Sequence, residues 1–394
     1  MLGLVLFPFY LLFNYFLYRL IIKWLNTLNK FFHHNFFRYL ILTIQFILVM
    51  CPIIGFLLPS GYLRRIFQFL GNYYLGIMIY AGGILLCALV LKRIFKKFIL
   101  RHNSNKVYAI SGLVCILILS IISIYGVINA RIIHSNHYEI TINKKAHKMN
   151  YLNIVMIADL HIGYNIGVDH LKRMVEKINK EKPDIVFIVG DIFDNEYDAI
   201  ENPNQVIELF KSIKSKYGIY AVYGNHDINE RVLMGFTFND SKKKESDLKM
   251  DQLLEQSGIK LLRDEYVLID DSFYVYGRPD YSKLGRDIDK RKKPNEVTED
   301  LDSSKPIIVL DHQPRELEQL ALAKVDLDLS GHTHDGQIFP LNLVMKLAYK
   351  NSYGIKKFGN MASIVTSGVG LYGPNMRVMT SSEITSIKVN FKND

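Results

Sequence analysis

Acidic residues are almost missing from the first 150 positions of this 394-residue chain. That part contains only Glu139 against sixteen lysines and arginines, whereas the remainder contains 32 basic and 37 acidic residues. The formal net charge of +10 therefore divides into +15 and −5. A basic chain invites a nucleic-acid-binding interpretation, but here the positive charge flanks apolar segments. Since the remaining part is slightly acidic and no basic groove is indicated, we expect no nucleic-acid partner.

Cysteine is scarce as well. The three cysteines, Cys51, Cys87 and Cys115, all lie in apolar segments, and no two have a CxxC-type spacing. Neither a zinc knuckle nor a disulfide framework is therefore expected. The part after residue 150 has no cysteine, which fits a domain on either side of a membrane. A metal site in that part would contain no thiolate.

Polar side chains are rare in four segments that approach the length of a transmembrane helix. A soluble helical domain would need polar faces at helical spacing, and Ile84–Leu91 and Val114–Ile122 show none. The first segment lacks the basic start and small-residue cleavage site of a signal peptide. We therefore predict a membrane domain over residues 1–128 and a tether over 129–150. The four predicted transmembrane helices are Leu2–Ile22, Tyr39–Leu58, Tyr73–Leu91 and Val107–Ile128.

Lysine and arginine are distributed unevenly among the loops between these segments. The first and third loops carry clusters of basic residues, whereas the second has only Arg64 and Arg65. The positive-inside rule places the first and third loops in the cytoplasm, and an even number of spans then returns the chain to the outside. The sequence thus predicts a multi-pass cell-membrane protein with an extracytoplasmic domain after residue 150. The spans contain no acid pair that would indicate transport.

Five apolar runs after residue 150 end in residue types that bind metals. The run Ile185–Val189 has no polar break, which is typical of a buried parallel strand that ends in a carboxylate. Amphipathic helical stretches such as Asp169–Lys180 separate the runs, which predicts an α/β fold. The residues that end the five runs are, in chain order, Asp159 and His161; Asp191 and Asp194; Asn225, His226 and Asp227; His312; and His332 and His334.

Each of these strand ends has an ordinary structural explanation when it is taken alone. A Gly-Asp pair is most often a helix N-cap, and Gly-Asn-His-Asp suits a type I turn. These explanations would have to coincide at the same end of five strands, where α/β sheets bring side chains into one crevice. The joint pattern therefore favours a metal centre, with Asp191 at its middle. Two close cations need a shared anionic bridge, and a nitrogen–oxygen ligand set suits manganese, iron or zinc.

The order DLH, GDIFD, GNHD, DHQP and GHTH resembles the calcineurin-like metallophosphoesterases over residues 151–394. The resemblance implies a four-layer α/β/β/α sandwich and a catalytic domain that uses two divalent metal ions. His226 matches the family's catalytic histidine, and Asp194 and Asp227 match the acids that orient it. The resemblance implies that Asp159, His161 and His334 bind one metal and that Asn225, His312 and His332 bind the other, with Asp191 bridging.

The longer stretch GHTHDGQIFP, with Gly368, Gly370 and Arg377, is similar to a branch of membrane-attached phosphodiesterases that act on lipid-linked phosphates. That branch usually has glycine at the position of Asp335 and proline at that of Ser382, and Asp311 is a further departure. Arg377 is a candidate substrate-binding residue because arginine clamps phosphate, although an isolated arginine of this kind is more often structural.

Together these features predict hydrolysis of a phosphate ester, with a phosphodiester favoured. A membrane anchor, an outward site and the apolar stretch Met234–Phe238 favour a lipid-linked phosphate or pyrophosphate at the bilayer surface, although Met234–Phe238 also suits packing under a loop. One alternative is a non-enzymatic membrane sensor or scaffold, which predicts eroded ligands, whereas every ligand position here is filled. Another alternative is an extracellular nucleotide phosphohydrolase.

Overall fold

The structure is a computed structural model that describes residues 2–95, 104–233, 236–238 and 245–392. Its chain divides into two compact units. The first unit consists of Met1–Ile128 with two short segments, Val232–Phe238 and Gly373–Met376. The second consists of Asn129–Arg231, Asn239–Tyr372 and Arg377–Asp394.

The first unit is helical, with α1 (Leu2–Leu28), α2 (Asn35–Leu57), α3 (Tyr62–Ile94) and α4 (Ser104–Asn129). Within the described residues three helices are long and apolar enough to cross a membrane: Asn35–Leu57, Tyr62–Ile94 and Asn105–Asn129. The expected count of four is therefore corrected to three. Helix α1 corresponds to the predicted span Leu2–Ile22, which is not among these three. Pro8, Asn14, Arg19 and Lys23 interrupt its apolar sequence, and the side chains of residues 1–6 lie outside the description.

Asn14 connects α1 to its neighbours through hydrogen bonds. Its backbone carbonyl accepts a bond from Gln45 Nε2 of α2 at 2.7 Å. Its side-chain oxygen accepts one from the Tyr74 hydroxyl of α3. A buried amide needs such partners in an apolar environment, and polar side chains commonly link packed helices there. Asn14 therefore has a structural reason to interrupt the apolar sequence of α1.

Two six-stranded sheets form the second unit. The first sheet has the strand order β1–β14–β2–β3–β4–β7 and the second β12–β13–β11–β10–β9–β8. A separate pair is formed by β5 (Arg231–Leu233) and β6 (Phe236–Phe238), and Met234 and Gly235 of the predicted apolar stretch lie outside the described residues. The strands of the first sheet are β1 (Ile133–Ile142), β2 (Tyr151–Ile157), β3 (Ile185–Val189), β4 (Ile219–Val222), β7 (Ile259–Leu261) and β14 (Ser382–Phe391). Those of the second are β8 (Glu265–Ile269), β9 (Phe273–Gly277), β10 (Ile307–Leu310), β11 (Leu327–Ser330), β12 (Gly354–Phe358) and β13 (Met361–Val365).

Alternate residues of β3 belong to different parts of the apolar core. Val186 and Ile188 pack in a cluster with the helices α5 (Val168–Glu181), α6 (Pro203–Lys211) and α7 (Leu248–Gln256). Phe187 packs in a second cluster with residues of the other sheet. A third cluster joins that sheet to α8 (Pro294–Val297) and α9 (Leu317–Leu322). These are the contacts that the predicted α/β/β/α sandwich requires, and its layering stays a prediction.

Residues 129–150, predicted as a tether with some strand character, include a full strand of the first sheet. All ten residues of β1 pair in parallel with β14. The second unit accordingly begins at Asn129 rather than at residue 151. Ser382, where the resemblance suggested proline, is the first residue of β14 and donates a hydrogen bond to the Ala130 carbonyl at 3.2 Å.

Parallel pairing aligns the ends of the strands that carry the predicted ligands. In the first sheet Ile157 of β2 pairs with Ile188, and Val189 of β3 pairs with Val222. In the second sheet Leu310 of β10 pairs with Leu329 of β11. Because parallel strands run in one direction, their carboxyl ends lie along the same edge. Polar residues that follow β2, β3 and β4 are therefore neighbours, as are those that follow β10 and β11.

Asp311, the residue between β10 and the ligand His312, binds two arginines. Its Oδ2 lies 3.0 Å from Nη1 of the fully buried Arg278 and also contacts Arg291. Arg278 Nη2 lies 2.9 Å from Glu316 Oε2. A buried guanidinium is costly unless it is paired. Asp311 thus has a charge-pairing role that accounts for its presence beside His312.

We expect Asp311→Ala to destabilise the protein strongly. Removing one partner of a buried ion pair typically costs about 3–5 kcal/mol, because the other charge remains buried without compensation. Urea unfolding of the purified chain measures the effect. Glu318→Ala, which removes the exposed pair with Lys350, is the control and should change stability little. Equal stability of Asp311→Ala and the wild type would contradict this role.

Candidate metal centre

The turns after β2, β3, β10 and β11 bring six of the predicted ligands together in two clusters, in which every residue but His332 is buried. The ligand atoms of Asp159, His161 and His334 all lie within 4.8 Å of one another. The ligand atoms of a second cluster also lie within 4.8 Å of one another, and this cluster consists of Asp191, His312 and His332. Each cluster combines residues from both sheets, since β2 and β3 belong to the first and β10 and β11 to the second.

Asp191 lies where the two clusters meet. Its Oδ2 is 3.1 Å from His312 Nε2 of its own cluster and 3.7 Å from His161 Nε2 of the other. Within the first cluster, His334 Nε2 lies 3.1 Å from His161 Nε2 and 3.5 Å from Asp159 Oδ1. One carboxylate oxygen therefore approaches a histidine from each cluster, which is the geometry that a bridging ligand needs.

Asn225, the remaining predicted ligand, follows Gly224 at the end of β4. A Cβ at Gly224 would lie 2.2 Å from Asp191 Oδ1 and 2.7 Å from His312 Cδ2, so only glycine permits this approach. The Oδ1 atom of Asn225 is buried and accepts no hydrogen bond from a described residue. A buried acceptor without a donor is costly. A buried amide oxygen without a donor, directly after a glycine that lies against Asp191 and His312, suits a metal ligand.

The backbone bends sharply at these turns. Five predicted ligands have left-handed backbone with φ between 45° and 71°. Such conformations cost on the order of 1–3 kcal/mol each and cluster at functional sites. Gly190, with φ of 86°, starts the turn that leads to Asp191, and a Cβ there would lie 2.4 Å from His312 Nδ1. The five residues are Asp159, His161, Asp191, His332 and His334.

Hydrogen bonds behind the ligands determine their orientation. His312 Nδ1 donates to the Val189 carbonyl at 2.9 Å, which turns Nε2 towards Asp191. Asp159 accepts the His332 N–H on both carboxylate oxygens, at 3.0 and 3.1 Å. Contacts of this kind align the first ligands and tune their basicity. The two clusters are therefore constrained before any ion binds.

Arg377, predicted as a candidate substrate-binding residue, is fully buried behind His334. Its guanidinium donates to the carbonyls of Ser367 at 2.6 Å and His334 at 3.2 Å, and lies 3.4 Å from His334 Nδ1. Every one of these contacts is internal to the protein. The geometry favours support of the ligand His334 over contact with a substrate.

Burial and charge set the protonation of the cluster. Burial lowers the pKa of His161 and of His332 to about 4 each. Neutral imidazole is the form that binds metals. Burial also raises the pKa of Asp159 to about 7, whereas at Asp191 the neighbouring histidines, chiefly His312, outweigh burial and hold the pKa well below its usual value. At His312 the Asp191 carboxylate outweighs burial and raises the pKa well above its usual value, so metal binding there releases a proton. A set of carboxylates and imidazoles without thiolates fits a pair of divalent cations of the manganese, iron or zinc type.

His226 lies beside Asp191, and its ring is oriented by Asn195. The His226 N–H donates to Asp191 Oδ1 at 2.8 Å, and its Nδ1 lies 2.7 Å from Asn195 Oδ1. Asn195 Nδ2 in turn donates to the Ile228 carbonyl at 3.2 Å. Because the amide nitrogen is already used as a donor, Oδ1 accepts and His226 carries its proton on Nδ1. Its Nε2 is the atom available for chemistry.

The two acids predicted to orient His226 make other contacts. Asp227 accepts hydrogen bonds from the backbone N–H groups of Phe193 and Gly224, at 2.8 and 2.7 Å. Asp194 Oδ1 lies 3.9 Å from His161 Nδ1. A hydrogen bond to the His226 ring is formed by Asn195, and the orienting role of Asp194 and Asp227 stays a prediction. Asn195 follows Asp194 directly, and its residue type alone gave no signal for this role.

Tyr372 is a further residue of the site that sequence motifs did not indicate. Its ring centroid lies 4.3 Å from that of His226 and 5.4 Å from that of His161. The side chain of Gln337 binds its backbone on both sides, accepting from Tyr372 N at 2.9 Å and donating to Tyr372 O at 3.0 Å. The tyrosine thus borders the first cluster from a position far along the chain.

Asp335, where the resemblance suggested glycine, follows His334 in left-handed backbone with φ of 47°. Its N–H donates to Thr333 Oγ1 at 3.2 Å. Burial raises the pKa of Asp335 to about 6. The departure therefore adds a half-buried carboxyl group directly after a predicted metal ligand.

Comparison with known proteins shows the family. A family model described as calcineurin-like phosphoesterase matches residues 152–336. An uncharacterized metallophosphoesterase of Campylobacter jejuni is 31% identical over 287 residues, covering 70% of this chain and 69% of that protein. A transmembrane protein with metallophosphoesterase domain of Danio rerio is 28% identical over 314 residues, covering 74% of this chain and 66% of that protein. The chain spans about two thirds of the length of these relatives. Among solved structures, a Haemophilus influenzae NAD nucleotidase aligns at 16% identity with a TM-score of 0.36, over 58% of this chain and 46% of that one, a likeness too low to carry an argument.

Proposed function

This chain belongs to the calcineurin-like metallophosphoesterases and is a phosphoric ester hydrolase, and we propose that it cleaves a phosphodiester at a membrane surface. The observation that carries the proposal is the position of Asp191, whose single carboxylate oxygen lies within 3.7 Å of a histidine from each of the two clusters. Filled ligand positions with this geometry favour an enzyme over a non-enzymatic sensor or scaffold.

We infer the assignment of ligands from the two clusters. Asp159, His161 and His334 would bind one divalent ion, and Asn225, His312 and His332 the other, with Asp191 between them. When bound, such ions lower the pKa of water and neutralise charge on phosphoryl oxygens. The protein residues place the substrate phosphate at the carboxyl edge of both sheets, where burial excludes bulk water.

His226 is the proposed catalytic residue. Its Nδ1 donates to Asn195 Oδ1, and this bond persists whether or not Nε2 carries a proton, so the ring keeps its orientation throughout turnover. Once the ring has taken up a second proton from water, Nε2 would donate a hydrogen bond or that proton to an oxygen of the phosphate, the leaving alkoxide included. Asn195 is a positioning residue that acts through the His226 ring.

Two substitutions separate metal binding from catalysis. Asp191→Ala removes the shared carboxylate and should abolish metal content and hydrolysis together. His226→Ala leaves all seven proposed ligands and should keep both metals while the rate falls about 10²–10⁴-fold, as for loss of one positioned acid–base group. Elemental analysis and hydrolysis of bis(p-nitrophenyl) phosphate measure both quantities. An Asp191→Ala protein with full metal content and normal rate would refute the assignment.

An exposed apolar helix supports a substrate at the bilayer surface. None of the eight residues of α10 (Leu341–Ala348) is buried, and Leu347 is 90% exposed. An exposed apolar helix with basic residues beside it is typical of a segment that lies in the membrane interface. Lys346 and Lys350 can contact anionic headgroups. We therefore favour a lipid-linked phosphate or pyrophosphate as substrate.

Helix α10 is also close to the metal centre along the chain. It begins seven residues after the proposed ligand His334 and ends just before Tyr349, whose ring centroid lies 6.0 Å from that of the proposed ligand His332. A lipid whose tail contacts the exposed face of α10 would hold its headgroup near the two clusters. The relative from Danio rerio is named a transmembrane protein, which agrees with a membrane location.

The role of α10 can be tested with substrates of two kinds. Leu343→Ser with Leu347→Ser should slow hydrolysis of a phosphodiester presented in lipid vesicles about tenfold or more, since each leucine loses much of a burial worth about 1.5–3 kcal/mol. Hydrolysis of bis(p-nitrophenyl) phosphate should not change. The control is Leu322→Ser on α9, where the leucine is 84% exposed. Equal rates on vesicles for the double variant and the wild type would exclude the interfacial role.

We also propose that the second unit is extracytoplasmic in a multi-pass protein. Basic residues cluster before α2 and between α3 and α4, whereas only Arg64 and Arg65 flank the α2–α3 loop. The positive-inside rule then places the end of α4 outside, whether or not α1 crosses the membrane.

Reporter fusions to the C-terminus test this orientation. Alkaline phosphatase folds only outside the cytoplasm, so its fusion should be active, and a green fluorescent protein fusion should be dark. The matched control places the same reporters after Lys106, in the first turn of α4, where the activities should be reversed. An inactive phosphatase at the C-terminus would refute the orientation.

A further inference from the structure

Arg315 lies three residues after the ligand His312, and its charge has no counter-ion among the residues whose side chains the structure describes. The residue is half-buried. Its Nε is buried and makes no hydrogen bond. The guanidinium carbon lies 4.5 Å from the ring centroid of Tyr349 and 5.8 Å from that of Tyr281. Two aromatic rings therefore lie beside this guanidinium, where a partly buried arginine usually has an acidic partner.

The acids nearest to Arg315 in sequence are already paired with other arginines. Glu316 lies 2.9 Å from Arg278 Nη2 and 3.6 Å from Arg291 Nη2. Asp311 also binds this pair of arginines. A cation partly removed from water costs free energy unless it is compensated, and contact with an aromatic ring offsets only about 0.5–2 kcal/mol. Arg315 thus differs from its neighbours in lacking a carboxylate.

Tyr349 places this cation beside the second ligand cluster. Its ring lies near both the guanidinium and the ring of His332, with a centroid distance of 6.0 Å to His332. Asp280, the other acid of this region, is bound by Gln313 Nε2 at 2.9 Å and by the Ser282 N–H at 2.8 Å. An anion at the second cluster would therefore find Arg315 as a cation that no described acid pairs.

We propose that Arg315, with Tyr281 and Tyr349, binds a second phosphate group of the substrate, adjacent to the one that is hydrolysed. The inference rests on the proposed function and deepens it, because it assigns the substrate to compounds with two linked phosphates, the pyrophosphate diesters. The planar guanidinium forms two parallel hydrogen bonds to phosphate oxygens. The tyrosine rings fix the plane of the guanidinium, and the half-exposed Tyr281 offers a surface for the group esterified to that phosphate.

Binding of two non-hydrolysable ligands tests the proposal. Diphenyl methylenebisphosphonate has two linked phosphorus groups, and methyl phenylphosphonate has one. In calorimetry with the metal-loaded full chain, Arg315→Gln should weaken binding of the bisphosphonate about 10–100-fold, the effect of losing hydrogen bonds to a charged group. Binding of the monophosphonate should change little. Arg315→Lys should recover only part of the loss, because an ammonium lacks the planar fork.

Arg263→Gln is the matched control. Arg263 also lies over a tyrosine ring, that of Tyr223 at 5.7 Å, but it is paired with Asp251 at 2.7 Å. This variant should bind both ligands as the wild type does. Equal losses for both ligands in Arg315→Gln, or no loss for the bisphosphonate, would overturn the proposal. Unchanged metal content and circular dichroism of Arg315→Gln exclude misfolding as the cause.

The outcomes also separate this proposal from the proposed function. If the wild type hydrolyses no phosphodiester but the difference between ligands persists, the proposed function fails and the second phosphate site stands. If the wild type hydrolyses phosphodiesters but Arg315→Gln does not distinguish the two ligands, only the second phosphate site is refuted. Pyrophosphate diesters with and without a lipid tail distinguish the source of the phosphates, since Arg315→Gln should impair hydrolysis of both and the α10 variant only that of the lipid.

Discussion

The buried carboxylate of Asp191 is the group on which the rest of the centre depends. It follows β3, whose five residues are all buried, so little water reaches it and its charge must be compensated by the protein and by any bound ions. The His226 N–H and the rings of His312 and His161 all approach it. Gly190 and Gly224 leave room for these groups because a side chain at either position would collide with His312 or Asp191. The groups that approach Asp191, their charges and the two glycines are thus all arranged around this one carboxylate.

This requirement explains why the centre needs both sheets. Parallel strands of one sheet align Asp159, Asp191 and Asn225, and those of the other align His312 and His332. Neither sheet alone provides a complete cluster. Left-handed backbone at five of the seven predicted ligands costs free energy that the packed core must offset. Metal binding and folding of the second unit are therefore expected to be coupled, since ions would stabilise turns that the backbone alone disfavours.

Sequence reasoning indicated the strands and the six residues of the two clusters because both are local signals: an uninterrupted apolar run such as Ile185–Val189 and a metal-binding residue type directly after it. It failed where a role arises from contacts between distant residues. Arg377 supports His334 from 43 positions away, and β1 becomes a strand by pairing with β14 near the other end of the chain. Within the described residues three helices, rather than the predicted four, are long and apolar enough to cross a membrane, since polar residues are dispersed within α1. Asn195 orients His226 through an amide whose neighbour, Asp194, was the more familiar candidate.

Tyr349 connects three properties that would otherwise be unrelated. It follows directly on the exposed apolar helix α10, its ring packs against the ligand His332, and the same ring contacts the unpaired cation Arg315. A substrate that contacts all three must have an apolar tail, a phosphate at the metals and a second phosphate linked to the first. A simple monoester has no second phosphate to bind Arg315, and a soluble diester has no apolar tail to contact α10. The combination is therefore better explained by a lipid-linked pyrophosphate than by either smaller class of substrate.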